Sequence, residues 1–94
     1  MSALSEKIKT LRKKKEMTVR GLADALDKTP GYVSRIEARG EIPSPELLCE
    51  MAHVLGIKAE ELLELAKEGQ LQRVEEDIEV RQRIALNLFR KSKR

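Results

Sequence analysis

The chain has 94 residues, a formal net charge of +3, 37% charged residues and only 2% aromatic residues. This length is enough for one small domain with a single core. Because aromatic residues are scarce and charged residues abundant, we expect an aliphatic core in an all-α bundle and not a β-sandwich. No apolar run approaches the roughly 18 residues of a membrane span, and the N-terminus lacks the apolar stretch of a secretory signal. We therefore expect a cytoplasmic protein that does not contact a membrane.

The residues that most often build catalytic and metal sites are few and isolated. Cys49 is the only cysteine and His53 the only histidine, and neither has partners at the spacing of metal ligands. Cys49 lies beside a predicted apolar stripe, so we expect a small buried side chain, whereas His53 is expected on the outer side of its helix. Ser34 lacks the histidine and aspartate of a nucleophilic triad. We therefore predict that the protein is not an enzyme and needs no metal or cofactor.

The first 40 residues combine an amphipathic helix pattern with most of the positive charge. Ser2 or Ser5 can cap a helix that runs to about Lys15. Its apolar face consists of Leu4, Ile8 and Leu11. The basic residues of the region are Lys7, Lys9, Arg12, Lys13, Lys14, Lys15, Arg20, Lys28, Arg35 and Arg39. Such a concentration favours a phosphate backbone as partner, although a solvated helix face would have the same composition.

Two short helix patterns separated by a tight turn follow. Thr18 is a good N-cap for the first, whose buried stripe comprises Leu22, Ala23 and Leu26. Asp27 and Lys28 form the turn. This spacing predicts a helix-turn-helix unit.

The second helix of this unit begins with the strongest local signal in the chain. Thr29 caps it, and Pro30 occupies the first helical position, where a missing N–H group has no cost. Val33 and Ile36 form its inner side. The residues left on the outward face near its N-terminal end are Gly31, Ser34 and Arg35. In a DNA-binding helix-turn-helix, this end of the second helix enters the major groove.

Two further helices are predicted. Gly40 can end the third helix in a left-handed conformation, and Ser44-Pro45 repeats the Thr29-Pro30 start signal. The fourth helix is expected to end at Gly56. The fifth has Glu60 and Glu61 near its positive N-terminus and is expected to end by Gly69.

Residues 8–57 resemble the Xre/Cro family, the lambda-repressor-like helix-turn-helix domains of bacteria and phages. The matching motifs, in order, are IKTLR at 8–12, LA at 22–23, YVSRIE at 32–37, PSPELL at 43–48 and A-x-x-LGI at 52–57. The resemblance implies an all-α fold, a five-helix lambda-repressor-like DNA-binding bundle, here with an additional C-terminal helical segment. It also implies a sequence-specific transcriptional regulator, specifically a repressor, that binds double-stranded DNA.

The resemblance assigns roles to particular residues. Arg12 and Glu37 are implied to face each other across helices one and three as a partly buried pair. Arg35 is implied to read bases with help from Ser34, while Tyr32 is assigned to a phosphate. The alternative for Arg35 is a surface ion pair with Glu41 or Asp24. The full set of candidate DNA-contacting residues is Thr18, Arg20, Lys28, Thr29, Pro30, Gly31, Tyr32, Ser34, Arg35 and Arg39.

Several positions depart from the family pattern. Val19 replaces a glutamine that usually bonds a phosphate, and Glu41 lies where family members usually have a lysine or arginine. Pro30 and Gly31 occupy two positions that other members use to read bases, and neither offers a side-chain hydrogen bond. These departures leave open a second class of function, a protein-interaction module with weak, non-specific DNA binding. An autoregulating antitoxin is a variant of the regulator hypothesis.

The division into domains follows from the extent of the resemblance. We expect residues 1–69 to form the DNA-binding domain and residues 70–94 a helical extension. The extension contains more apolar residues than an exposed helix needs, among them Leu71, Ile78 and Ile84. It could fold back onto the bundle or form a surface for self-association. We favour self-association, and therefore a homodimer, because two recognition helices can bind two half-sites about one helical turn apart.

Overall fold

The computed structural model describes the backbone of residues 2–92 and the side chains of residues 2–71, 78, 79 and 82–84. This part of the chain contains five helices and no strand, which confirms the all-α prediction. The helices are α1 (Ala3–Lys14), α2 (Val19–Ala25), α3 (Pro30–Arg39), α4 (Pro45–Leu55) and α5 (Ala59–Ser92).

The first four helices begin at hydroxyl residues, as the sequence predicts. Ser2, Thr18, Thr29 and Ser44 each accept a hydrogen bond from the backbone N–H three residues later. Each bond satisfies one of the N–H groups that a helix leaves unpaired at its start. Of the two serines proposed to cap α1, Ser2 does so, while Ser5 lies inside the helix. The residue at which each of the helices α1 to α4 begins is therefore determined by the local sequence.

The ends of the same helices depend on left-handed residues. Gly40 and Gly56 have φ values of 71° and 76°, as predicted for helix-ending glycines. Asp27 takes the same conformation, with φ 55°, in the turn between α2 and α3. Aspartate tolerates this region better than most residues, so Asp27 can form the turn without a glycine. The Lys28 N–H completes it by donating to the Ala23 carbonyl at 2.9 Å.

The core is aliphatic and is built around α1, α2, α3, α4 and the first part of α5. Its fully enclosed side chains include Leu4, Ile8, Leu22, Val33, Ile36, Leu48, Met51 and Leu62. Leu11, expected on the inner face of α1, is only partly buried. Because α2 and α3 both contribute to this core, the helix-turn-helix is held as one rigid unit.

The fifth helix is longer than expected, so the prediction that it ends by Gly69 is wrong. It continues from Ala59 to Ser92 as one helix of 34 residues, which corresponds to about 50 Å. A Cβ atom placed on Gly69 would meet Ile42 Cδ1 at 3.6 Å, so this glycine packs beside the loop after α3. Residues 70–92 extend α5 without a break, so this segment does not return to the bundle as a separate helix. The division of the chain into two domains between residues 69 and 70 stays a prediction.

Two single residues of α4 can be compared with expectation. His53 is exposed, as predicted. Cys49 is also exposed, so the prediction of a buried side chain is wrong. The inward positions of α4 around it are taken by Leu48 and Met51, and isolated apolar side chains on a surface are common. No helix among the described residues is long and apolar enough to span a membrane.

Candidate DNA interface

The helix-turn-helix presents one buried side and one open side. Val33 and Ile36 of α3 are completely enclosed, and Glu37 is 8% exposed. Gly31, Ser34 and Arg35 lie on the other side of the same helix and are exposed, together with Ala38. The sequence predicted this division except for Ala38, whose methyl group could only contact the apolar parts of a base. The N-terminal half of α3 therefore offers an uncovered surface to a ligand.

All ten candidate DNA-contacting residues are accessible. Thr18, Arg20, Lys28, Thr29, Pro30, Gly31, Ser34, Arg35 and Arg39 are exposed, and Tyr32 is partly buried. The Tyr32 side chain packs against the edge of the core. The ten residues belong to three consecutive parts of the chain: the start of α2, the turn and α3.

The two threonines of the site are N-caps with spare hydrogen-bonding capacity. The Thr18 hydroxyl accepts from the Gly21 N–H at 2.9 Å, and the Thr29 hydroxyl accepts from the Tyr32 N–H at 3.2 Å. A hydroxyl that accepts one bond still has its own proton to donate. Each threonine can therefore donate to a phosphate oxygen at the positive end of its helix.

Tyr32 brings two cations together. Lys28 Nζ lies 5.9 Å from the centre of the Tyr32 ring, and the Arg35 guanidinium carbon lies 5.5 Å from it. Both distances are within the range of an attraction between a cation and an aromatic face. The turn and the middle of α3 therefore each place one cation beside the same aromatic ring.

Arg35 also has an acidic partner. Its Nε donates to Glu41 Oε2 at 3.0 Å, and the two side chains are 48% and 44% exposed. An ion pair of Arg35 with Glu41 or Asp24 was the alternative to a base-reading role, and the pair with Glu41 is present. Because both groups face solvent, this pair is weak and can exchange partners. Apart from the unusual acidic residue at position 41, the sequence contains no motif that indicates this ion pair.

Gly31 leaves an open space on the outward face. A Cβ atom placed there would meet nothing within 4 Å. The glycine is therefore not required by the packing of the free protein. Because Gly31 has no side chain, another molecule can approach the backbone at the start of α3 closely.

A buried ion pair holds α3 against α1. Arg12 Nε donates to Glu37 Oε2 at 2.8 Å and Arg12 Nη2 donates to Glu37 Oε1 at 3.0 Å, which confirms the pair implied by the resemblance. Arg12 Nη1 also donates to the Met17 carbonyl at 2.8 Å. Glu37 is thus neutralised inside the fold, so its charge does not oppose a phosphate backbone.

Ser5 adds a second link between α1 and α3 that the sequence reasoning missed. Its side chain is 2% exposed, and its hydroxyl donates to the Ile36 carbonyl at 2.6 Å. Ser2 Oγ lies 2.8 Å from the same hydroxyl. A serine near a helix start resembles an ordinary cap, and nothing local distinguishes the two roles.

Some of the basic residues near the N-terminus already have partners in the fold. Arg12 is buried with Glu37, and Lys7 Nζ lies 3.9 Å from Glu61 Oε2. The Lys15 ammonium lies over Gly56, 3.1 Å from where a Cβ would be, at the negative end of α4. These three cations are therefore held within the fold, and none of them belongs to the candidate DNA-contacting set. Within the described residues, no cluster of acidic, histidine or cysteine side chains could hold a metal ion.

Comparison with known proteins identifies the unit. Residues 8–62 match the family model described as "Helix-turn-helix", which covers more than half of the chain. The chain belongs to the helix-turn-helix family of DNA-binding regulators. The matched segment contains α2, α3 and α4, together with most of α1, so the whole candidate interface lies inside it.

Solved structures agree with this assignment. The clp gene regulator ClgR from Corynebacterium glutamicum is 35% identical, with a TM-score of 0.61 over 82% of this chain and 83% of that one. A second structure of ClgR gives 34% identity and a TM-score of 0.59, over 72% and 88% of the two chains. A chain of the SinR protein/SinI protein complex is 24% identical, with a TM-score of 0.59 over 96% and 99%. The last similarity concerns the fold alone. A search of curated proteins gave no significant match.

Proposed function

We propose that the protein is a sequence-specific transcriptional repressor that binds double-stranded DNA as a homodimer. The observation that carries the proposal is the open face of α3, where Gly31, Ser34 and Arg35 are exposed together on a helix whose other side is locked in the core. A rigid helix with an uncovered N-terminal half is what a major groove accepts. Such a regulator acts where the DNA is, in the cytoplasm of a bacterial cell.

Arg35 is the residue that we assign to base recognition. It lies one turn after Gly31, whose missing side chain leaves room for a long residue to lean toward the groove floor. Arginine is the commonest partner of guanine, to which it donates two parallel hydrogen bonds. Ser34 is placed to assist it, whereas Pro30 and Gly31 contribute shape and no side-chain hydrogen bond.

Replacing Arg35 by alanine is expected to remove specificity. Arg35→Ala should cost about 1–3 kcal/mol on the selected site and relax the preference for one guanine per half-site. Binding to random DNA should change little in comparison. Fluorescence anisotropy on both DNAs at one fixed salt concentration measures this difference. Equal losses on the two DNAs would make Arg35 a phosphate contact and contradict its assigned role.

The remaining exposed polar and basic residues are assigned to the phosphate backbone. Thr18 and Thr29 have a free hydroxyl proton at helix starts, and Tyr32 lies close to the start of α3. The basic members of this group are Arg20, Lys28 and Arg39. Phosphate contacts fix the position of the protein on the duplex and carry no sequence information directly.

Arg39 offers a direct test of this group. Arg39→Ala should weaken binding to all sequences alike and reduce the slope of log K against log salt by about one unit. Lys67→Ala is a matched control, because Lys67 is an exposed cation on α5 outside the proposed interface. Anisotropy titrations across a salt series measure both slopes. A loss confined to the selected site would identify Arg39 as a base contact.

Dimerisation is assigned to the part of α5 beyond the bundle. Leu71, Ile78 and Ile84 are 53%, 48% and 55% exposed on a helix that continues past Ala66, the last buried residue among those whose side chains are described. Large apolar side chains repeated on one projecting helix are typical of an interaction surface. A second copy of the same helix is the occupant that we propose, because a single small module binds a specific site weakly.

Selection from a random DNA pool tests the proposed function as a whole. The full-length chain should enrich a palindromic site, and its affinity for that site should exceed its affinity for random DNA by a large factor. If only weak, sequence-blind binding appears, the protein-interaction module becomes the better description. The pairing of Arg35 with Glu41, together with the sequence departures at positions 19, 30 and 31, favours that second candidate.

A further inference from the structure

Glu41 occupies an unusual position for an acidic residue near a DNA-binding face. It follows Gly40, which takes the left-handed conformation that ends α3 with φ 71°. The Glu41 N–H donates to the Arg35 carbonyl at 3.4 Å, so the backbone of the loop is tied to the same residue whose side chain Glu41 contacts. Its carboxylate accepts from Arg35 Nε at 3.0 Å.

The contacts of Arg35 leave one particular edge of the guanidinium available. Nε is taken by Glu41, and the guanidinium carbon lies 5.5 Å from the centre of the Tyr32 ring. In the described part of the chain, the two terminal nitrogens of Arg35 have no hydrogen-bond partner. Those two nitrogens form the outer end of the fork that matches a pair of acceptors such as guanine O6 and N7.

We propose that Glu41 is a positioning residue that holds Arg35 against Tyr32 with its outer edge directed at a guanine. This inference rests on the proposed DNA-binding function and deepens it. An exposed arginine without such support samples many rotamers, and fixing it before binding lowers the cost of forming two bonds to one base. The same carboxylate repels phosphates, so it lowers the affinity for every DNA sequence. At the same time it raises the ratio of the affinity for the selected site to the affinity for random DNA.

Two variants separate positioning from simple repulsion. Glu41→Ala removes both the charge and the hydrogen-bond acceptor, whereas Glu41→Gln removes the charge and keeps an oxygen that Arg35 Nε can reach. Both should tighten binding to random DNA, since each removes a negative charge. Only Glu41→Ala should lower the ratio of selected-site to random-DNA affinity, by up to about fivefold, the limit set by a pair worth at most about 1 kcal/mol. Glu50→Gln, an exposed charge change on α4, is the matched control and should leave the ratio unchanged.

A double-mutant cycle with Arg35 decides whether Glu41 acts through that residue. In an Arg35→Ala background, Glu41→Ala should no longer lower the affinity ratio, because there is no arginine left to orient. The ratios are measured by anisotropy with the full-length protein at one salt concentration. An unchanged ratio in the single Glu41→Ala variant, or the same fall with and without Arg35, overturns the inference. A wild-type chain that enriches no site overturns the proposed function, and this inference with it.

Discussion

Replacing Glu37 by alanine is expected to destabilise the fold more than any other single change proposed for this protein. The substitution leaves the Arg12 guanidinium, whose side chain is 10% exposed, with the Met17 carbonyl as its remaining hydrogen-bond partner. Breaking a buried pair by removing one partner costs about 3–5 kcal/mol. For a domain of this size each kcal/mol lowers Tm by about 4–8 °C, so a fall of at least about 12 °C is expected. Thermal unfolding followed by circular dichroism measures it.

The chain supplies its own control for this experiment. Glu41→Ala removes the same carboxylate from another arginine, but the Arg35–Glu41 pair is 48% and 44% exposed and should contribute at most about 1 kcal/mol. A double replacement of Arg12 and Glu37 by methionine should recover much of the lost stability, because it removes both charges together. A Glu37→Ala protein with an unchanged Tm would contradict a structural role for Glu37.

The parts of this fold that follow from local chemistry could be predicted from the sequence. The hydroxyl caps, the prolines after two of them and the left-handed glycines at positions 40 and 56 depend on neighbours within a few residues. The buried stripes of α2 and α3 follow from helical spacing. Together these signals were enough to define which residues of α3 face outward, and hence the candidate interface.

Contacts between residues that are far apart in the sequence were harder to predict. Arg12 and Glu37 are 25 residues apart, and only the family resemblance brought them together. Ser5 donates to Ile36 across a separation of 31 residues, and no resemblance pointed to that bond. The pairing of Arg35 with Glu41 depends on the turn at Gly40 as well as on the two side chains. Hydrogen bonds between distant residues do not produce a recognisable spacing of residue types along the sequence.

Gly69 illustrates why a local rule can fail. A glycine after an apolar stretch often ends a helix, and inside a helix it costs up to about 1 kcal/mol relative to alanine. Here Leu62 and Ala66 anchor the helix in the core, and the space beside Gly69 is occupied by Ile42. Helical propensity on both sides of one glycine outweighs its cost, so α5 continues and carries apolar residues away from the bundle.

This projecting part of α5 leads to the second prediction with a large expected effect. Deleting residues 70–94 removes Leu71, Ile78 and Ile84 but keeps Leu62 and Ala66, which complete the core. We expect a folded monomer that binds the selected site about a hundredfold or more weakly, because two linked half-site contacts become one. Analytical ultracentrifugation and anisotropy measure the two effects separately.

Point variants of the full-length chain make this prediction independent of the deletion. Leu71→Glu combined with Ile78→Glu places charges on two side chains that are about half exposed, so the bundle should keep its Tm while the dimer dissociates. Glu79→Ala changes an exposed neighbour on the same helix and should leave the dimer intact. If the truncated chain or the Leu71→Glu, Ile78→Glu variant still sediments as a dimer, the dimer contact lies elsewhere. In that case the apolar side chains of α5 need another explanation.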